Sequence, residues 1–413
     1  MDRRAFLINA AAAGAHAALG GCRTSASVQP LALGFIGLGD RGKQLIRRFL
    51  RVPGVRAAAV CDIYDPRFDE VKELLGAAVP SFRDHRALLD RRDVDAVVVA
   101  TPPSLHREHV IAALESGRPV YGEKSLGFSI EDCDAVRAAV ARTHQIFQIG
   151  FQYRYASWFA EAIDRARSGE LGTVTHVDGY WHRNTSWRTP VPRGPDQEPD
   201  PALERLLNWR LHRATSGGLL MELGAHQIDV ANRVFGDLPE SAIGEGGLDH
   251  YKDGRDVNDN VKAIFRYPGG RTFSFSALTT SAEKGFQIWI HGTEGSARLT
   301  LRDAMFFRER PAKRCPPGPG SVDAVTGATC RAGADPSDED SPIDEPAAIL
   351  RMRPGVDDAT AAACRAFCDA VRTGARPSAD ERVGWGAAVA AILGNRAIDQ
   401  GRRIRFADPL APG

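Results

Sequence analysis

Two groups of residues have the types and spacing for chemistry. Gly37-Leu38-Gly39-Asp40-Arg41-Gly42 fits G-x-G-x-x-G, directly after an apolar run and at the start of a helical one. Such a turn presents backbone N–H groups and a helix N-terminus to an anion. Gly37 permits the tight turn, Gly39 lets backbone approach a pyrophosphate, and Gly42 lets helix and strand pack closely. Asp62 stands 20 residues beyond Gly42 and ends the next apolar run, where a carboxylate can accept from ribose hydroxyls. Together they predict a dinucleotide site. An acid at that position repels a 2′-phosphate, so NAD is expected over NADP; Arg41 and Arg67 are the residues that keep NADP as the lesser reading. The bland alternative is a glycine-rich turn in a fold that binds no dinucleotide.

The second group is Glu222 and His226, four residues apart and therefore on one face of a helix. A neutral imidazole can take a hydroxyl proton near neutral pH, which suits His226 to acid/base work with Glu222 orienting it or the substrate, while the rival account of a lone histidine on such a helix is structural. Asp229, one turn on, is placed to pair with an arginine. His182-Arg183-Asn184 with Trp187-Arg188, and Asn208-Trp209-Arg210, are polar–aromatic clusters. Aromatic faces beside amide and guanidinium donors suit a sugar ring, and Asn184, Trp187, Trp209 and Arg210 are the candidate substrate contacts; loop packing is the rival account. No His/Asp/Glu spacing asks for a metal, and there is no G-x-S-x-G.

The elements that position these residues follow from periodicity. Leu31–Leu38, Val55–Cys61, Val94–Ala100, Pro119–Tyr121 and Gln145–Gly150 read as strands. Helical runs at Arg41–Arg51, Pro66–Leu75, Ser104–Ser116 and Ile130–Arg142 lie between them. Strand alternating with helix predicts an α/β, doubly wound parallel sheet over residues 30–150. Beyond a helix at Trp158–Ser168, strand-like runs at Val174–Tyr180, Val261–Tyr267, Arg271–Ala277, Phe286–His291 and Ser296–Leu301 predict a second α/β domain, 151–413. A Pro-Gly-Gly turn joins two of these runs, as in an antiparallel meander. Helices at Thr360–Val371 and Gly384–Ile398 close the chain.

The 413 residues carry 53 Lys+Arg against 52 Asp+Glu. A balance of +1 offers no chain-wide attraction to nucleic acid or anionic lipid. Cys61, Cys133, Cys364 and Cys368 read as buried apolar fillers, while Cys315 and Cys330 bracket a Pro/Gly-rich loop and are a disulfide candidate.

With these residues in place, the sequence resembles the Gfo/Idh/MocA oxidoreductase family from about Leu31 to Phe406. The resemblance is carried by FIGLGDRG, ATPPSLHREHVIAALESGRPVYGEK, GFQYRY and SGGLLMELGAHQIDVAN, in family order. It implies an N-terminal Rossmann domain and a C-terminal α/β domain with a large, mostly antiparallel open sheet that mediates a dimer or tetramer. Glu123-Lys124 is similar to the family's Glu-Lys-Pro, with Ser125 in place of proline. The implied role of Lys124 is to sit at the nicotinamide pocket and hydrogen-bond the reacting oxygen. The resemblance also places Thr101, Pro102 and Glu123 at the cofactor cleft, puts His106 in the family's strand-end turn as a structural residue or a lining of that cleft, and sets Tyr153 and Arg154 near the substrate. Tyr153 is then a proton donor or an aromatic packing residue.

The first residues predict export. Asp2-Arg3-Arg4-Ala5-Phe6-Leu7 resembles a twin-arginine signal, and Leu19-Gly20-Gly21-Cys22 a lipobox whose Cys22 would be acylated. A periplasmic or envelope-attached location is expected, with any membrane contact through that anchor. Outside the cytoplasm no dinucleotide pool is replenished, so a tightly held cofactor is expected. The function read from the sequence is oxidation or reduction of a sugar hydroxyl or carbonyl. Two alternatives are a glycosidase working by transient oxidation, elimination and re-reduction, and a dinucleotide-binding protein without turnover.

Overall fold

The computed structural model describes residues 30–193, 200–309, 321–322, 329–330, 346–354 and 356–406. The export signal, Cys22 and Cys315 fall outside them, as does the side chain of Cys330.

The first half alternates as its periodicity predicts. The strands are β1 (Leu31–Ile36), β2 (Val55–Cys61), β3 (Ser81–Phe82), β4 (Ala96–Val99), β5 (Val120–Gly122) and β6 (Phe147–Ile149). The helices between them are α1 (Asp40–Phe49), α2 (Pro66–Leu75), α3 (His85–Leu89), α4 (His106–Glu115) and α5 (Ile130–Thr143). The six strands are parallel in the order β3-β2-β1-β4-β5-β6. This is the doubly wound order, and its switch point lies at the C-terminal ends of β1 and β4. Ala96-Val97-Val98-Val99 is buried at all four positions because helices cover both faces. α1 turns Leu45, Ile46 and Phe49 inward, and α5 starts with a reciprocal Ser129/Asp132 cap.

After α6 (Ser157–Arg167) comes β7 (Val174–Asn184), then α7 (Pro201–Leu207) and α8 (Ala225–Phe235). The sheet is completed by β8 (Ser241–Gly247), β9 (Asn260–Arg266), β10 (Thr272–Leu278), β11 (Thr280–Gly292), β12 (Gly295–Leu299) and β13 (Asp303–Arg308). A short pair, β14 (Ser321–Val322) and β15 (Thr329–Cys330), precedes β16 (Ala348–Arg351). The chain closes with α9 (Ala359–Thr373), α10 (Glu381–Gln400) and β17 (Ile404–Arg405). The second sheet has nine strands in the order β16-β13-β12-β11-β7-β10-β9-β8-β17. Every pairing is antiparallel except β10 with β7. The Pro268–Gly270 turn joins β9 to β10 as expected.

The closing helices return to the first domain. Cys364, Phe367 and Cys368 of α9 join the core beneath α1, where Phe49, Tyr121 and Phe367 meet edge to face at centroid distances of 5.4–6.0 Å. Cys61, Cys133, Cys364 and Cys368 are buried free thiols, as their apolar settings predict. Among the described residues no helix is long and apolar enough to cross a membrane.

Candidate active site

The glycine loop is built as its spacing requires. Gly37 has φ +91°, and a Cβ there would lie 2.7 Å from the Ala100 carbonyl carbon. A Cβ on Gly42 would lie 2.0 Å from the Gly37 carbonyl oxygen, so no other residue lets α1 pack on the turn. α1 begins at Gly39 without a side-chain cap, which leaves its first N–H groups facing the cleft. Asp62 accepts from the Leu38 N–H at 2.7 Å and the Tyr64 N–H at 2.9 Å. Its carboxylate is thereby fixed at the mouth of β2 with lone pairs to spare. Leu38 itself is buried and contributes only its backbone.

These residues border a cleft of about 680 Å³ that Asp62, Ile63, Arg67, Thr101, Pro102 and His109 also line. The uncapped helix, the cradle that a Cβ would fill, and the acid fit a dinucleotide. Ile63 is 54% exposed on the cleft wall, a flat apolar surface that nothing in the motif foretold. Two predicted contacts behave differently. His106 is buried and off the cleft, with Nδ1 against the Ser125 carbonyl and Nε2 2.8 Å from the Thr101 carbonyl. It joins the two strand-end loops, and His109, beside Thr101 Oγ1 at 3.1 Å, takes the cleft position. Arg41 turns away from the Asp62 side and donates to Glu123 Oε1 at 2.7 Å, so it is not directed at a 2′-phosphate site.

Beyond Thr101 the cleft continues into a cavity of about 310 Å³. Lys124 comes from the end of β5, where the Lys124–Ser125 peptide is cis. Glu222 and His226 come from the segment entering α8. That segment is not a uniform α-helix: Leu220–Gly224 is a π-helical turn, a feature frequent at functional sites. Lys124 Nζ lies 3.2 Å from Glu222 Oε2, and Arg210 Nε donates to the same oxygen at 3.4 Å. Burial alone would raise the Glu222 carboxyl, but the Lys124 and Arg210 charges outweigh it and hold it below the usual carboxylate range. Glu222 therefore anchors Lys124 and makes no hydrogen bond to His226, which removes one of the two roles expected of it, that of orienting the histidine.

His226 is buried against Phe151, Tyr153 and Trp181, yet lines the cavity, and its Nδ1 has no partner among the described residues. Burial first, then the Lys124 and Arg41 charges, hold it well below the usual histidine value, so it rests neutral. Tyr153 stacks on Phe159 at 5.0 Å and tilts against Phe286 at 5.2 Å, which makes it a packing residue behind His226.

Strand alternation separates the polar–aromatic clusters. On β7, Trp181 and Arg183 face α8, and Arg183 lines the cavity. His182 bonds Ser276 on the opposite face, and Asn184, exposed at the strand end, lines neither cleft nor cavity. Trp187 lines the cavity from a left-handed backbone, φ 62°. Its loop is pinned on the far side: Arg188 binds Asp253 and Glu204, while Asn208 brackets Thr189 through both its oxygen and its amide. Trp209 and Arg210 line the cavity as predicted. Arg154 does not; it grips the buried carboxylate of Asp229 through Nε and Nη2 at 2.7–3.0 Å and also holds the Ser378 carbonyl. Arg183 and Gln152 line the cavity although no motif singled out their roles.

A glycine-loop cleft that runs into a lysine- and histidine-lined cavity between a Rossmann sheet and an open antiparallel sheet defines a two-domain dehydrogenase class. Residues 31–151 match the oxidoreductase family with an NAD-binding Rossmann fold, and residues 159–298 match the GFO/IDH/MocA C-terminal domain. The chain belongs to the GFO/IDH/MocA family of NAD-binding oxidoreductases.

It is 28% identical over 276 residues to the scyllo-inositol 2-dehydrogenase (NAD(+)) of Bacillus subtilis, covering 65% of this chain and 73% of that one. It is also 28% identical over 239 residues to the levoglucosan dehydrogenase of Pseudarthrobacter phenanthrenivorans, covering 52% and 58%. Levoglucosan dehydrogenase in complex with NADH and L-sorbose shares the fold with a TM-score of 0.70 at 21% identity, covering 92% of this chain and 99% of that one. The aldose-aldose oxidoreductase of Caulobacter crescentus does so with 0.68 at 21% identity, covering 91% and 100%.

Proposed function

We propose that this protein oxidises or reduces a hydroxyl or carbonyl of a sugar or cyclitol derivative, using a tightly held NAD. The observation that carries the reading is Lys124 clamped by Glu222 beside neutral His226, at the point where the cofactor cleft opens into a monosaccharide-sized cavity. The names of the related inositol and levoglucosan dehydrogenases support the substrate class.

NAD, when bound with its nicotinamide toward Lys124, supplies the hydride acceptor or donor. Lys124 donates a hydrogen bond to the reacting oxygen and favours the alkoxide-like charge that develops on it. His226, neutral and lining the cavity, takes the hydroxyl proton. Lys124 and Arg41 disfavour the imidazolium that results, so the protonated histidine is a strong acid and readily returns its proton when a carbonyl is reduced. Glu222 holds the ammonium in place. Trp187 and Trp209 offer faces to the ring.

Export by the twin-arginine route supports the tightly held cofactor, because a freely exchanging dinucleotide is not replenished outside the cytoplasm. A periplasmic or lipid-anchored protein, assembled as a homo-oligomer on its open sheet, is part of this reading. The test is a steady-state screen of monosaccharides and cyclitols as hydride donors, each paired with a second sugar whose carbonyl accepts the hydride and returns the resident cofactor to NAD⁺. At least one is turned over, and Lys124→Met lowers its kcat about 100-fold or more. Undiminished turnover by that variant overturns the assignment.

A further inference from the structure

The inner end of the cavity holds more positive charge than its own acids offset. Arg41 is paired with Glu123, and the Asp40 side chain is 91% exposed at the rim beside Lys43. What remains is a single carboxylate, Glu222, divided between Lys124 and Arg210, together with Arg183. Arg183 donates to no acceptor and pairs with no acid among the described residues. Its guanidinium instead sits 5.6 Å from the Trp181 ring centroid and 5.2 Å from that of Trp187. Arg210 stacks on Trp209 at 4.3 Å and reaches Trp187 at 6.0 Å. Burial and the neighbouring Arg210 charge both pull the Arg183 guanidinium below its usual value. The two cations thus feel one another with no anion between them. A part-buried guanidinium left this way is costly, and a carboxylate joining it offers two parallel N–H···O bonds.

We infer that the substrate is a sugar acid, an aldonate or uronate, whose carboxylate is held by Arg183 with Arg210 at its flank. The inference rests on the sugar-oxidoreductase reading and narrows it. A planar guanidinium matches a planar carboxylate. The indole faces of Trp187 and Trp209 hold the fork in place and leave room for a ring at its side. The cavity, about 310 Å³, is large enough for a monosaccharide.

The test is a tryptophan-fluorescence titration of the full-length protein with NAD⁺, using glucose against gluconate and glucuronate, galactose against galacturonate, and glucose 6-phosphate. Because it needs no turnover, it reads the inference even if no sugar is oxidised. At least one acid binds about tenfold or more tightly than its neutral partner, and added salt weakens that binding. Arg183→Gln abolishes the preference, bringing acid binding down to that of the neutral sugar measured with the same variant, and Arg183→Lys keeps part of it. Equal binding of acid and neutral sugars, a preference for the phosphate, or an undiminished preference in Arg183→Gln overturns the inference. Neutral sugars that are oxidised while acids neither bind nor react leave the oxidoreductase reading standing and remove this one. Protein that carries no resident NAD(H) and also binds no added NAD⁺ removes the oxidoreductase reading itself.

Discussion

Lys124 Nζ and Glu222 Oε2 lie 3.2 Å apart although 98 residues separate them in the chain. One follows the C-terminal end of β5 in the nucleotide-binding sheet and the other comes from a π-helical turn of the second domain. The pair therefore joins the two halves of the site, and its removal has consequences for both stability and rate.

Lys124→Met leaves the Glu222 carboxylate buried with Arg210 as its remaining cation. The expected loss is about 3 kcal/mol, at the low end for breaking a buried pair because Arg210 persists. The double variant Lys124→Met/Glu222→Gln recovers part of that stability and none of the activity. Urea melts of the wild type, both singles and the double check this; an additive cycle would show that the two residues are not coupled.

His226 sets the pH response. Its folded pKa lies well below 6.5, so the unfolded chain binds the proton first as pH falls. Its contribution to stability is full above about pH 6.5 and declines below it, and His226→Gln flattens that slope. The neutral form is the one that accepts a proton, so the acid limb of kcat/KM for sugar oxidation falls well below the usual histidine range. Melting temperatures and rates between about pH 5 and 8 test both statements. An inflection near pH 6.5 in kcat/KM that disappears in the variant, or a loss of stability below pH 6.5 that the variant leaves unchanged, would contradict them.

The glycine loop separates packing from binding. In Gly42→Ala the new methyl meets the Gly37 carbonyl oxygen, a rigid backbone atom, at 2.0 Å. That variant loses about 1–3 kcal/mol of stability as well as NAD⁺ affinity. In Gly39→Ala the nearest atom is the movable tip of Arg67 at 2.7 Å, so it folds normally and loses affinity alone. Calorimetric NAD⁺ titrations beside thermal melts distinguish the two.

Arg154 supplies a negative control. Its bonds run to Asp229 and the Ser378 carbonyl, away from the cavity. Arg154→Leu costs about 3–5 kcal/mol by stranding a buried carboxylate. At temperatures where it stays folded its KM for sugar is unchanged. A raised KM with normal stability would return Arg154 to the substrate site.

What the sequence revealed follows from how local each signal is. The turn at Gly37–Gly42, the acid at Asp62, the buried β4 and the boundaries of β2 and α2 depend on neighbours within a few residues. Lys124, Trp187, Trp209 and Arg210 were legible as site residues. The structure brings all four to the cavity that His226 lines. The partners were not legible. Arg154 next to Tyr153 reads as a substrate ligand until the fold sets Asp229 against it. His182, Arg183 and Asn184 read as one cluster until the two-residue period of β7 sends Arg183 alone to the cavity. The π turn at Leu220–Gly224 has no sequence periodicity to betray it. The parallel β7–β10 pairing is a long-range choice that no hairpin signal encodes.

The most direct test of the central claim, a resident NAD in a sugar oxidoreductase, is a mass spectrum of the denatured extract from protein purified without added cofactor. The account predicts close to one equivalent of NAD(H) per chain, lost in Gly39→Ala. An empty protein that also fails to bind added NAD⁺ would contradict it.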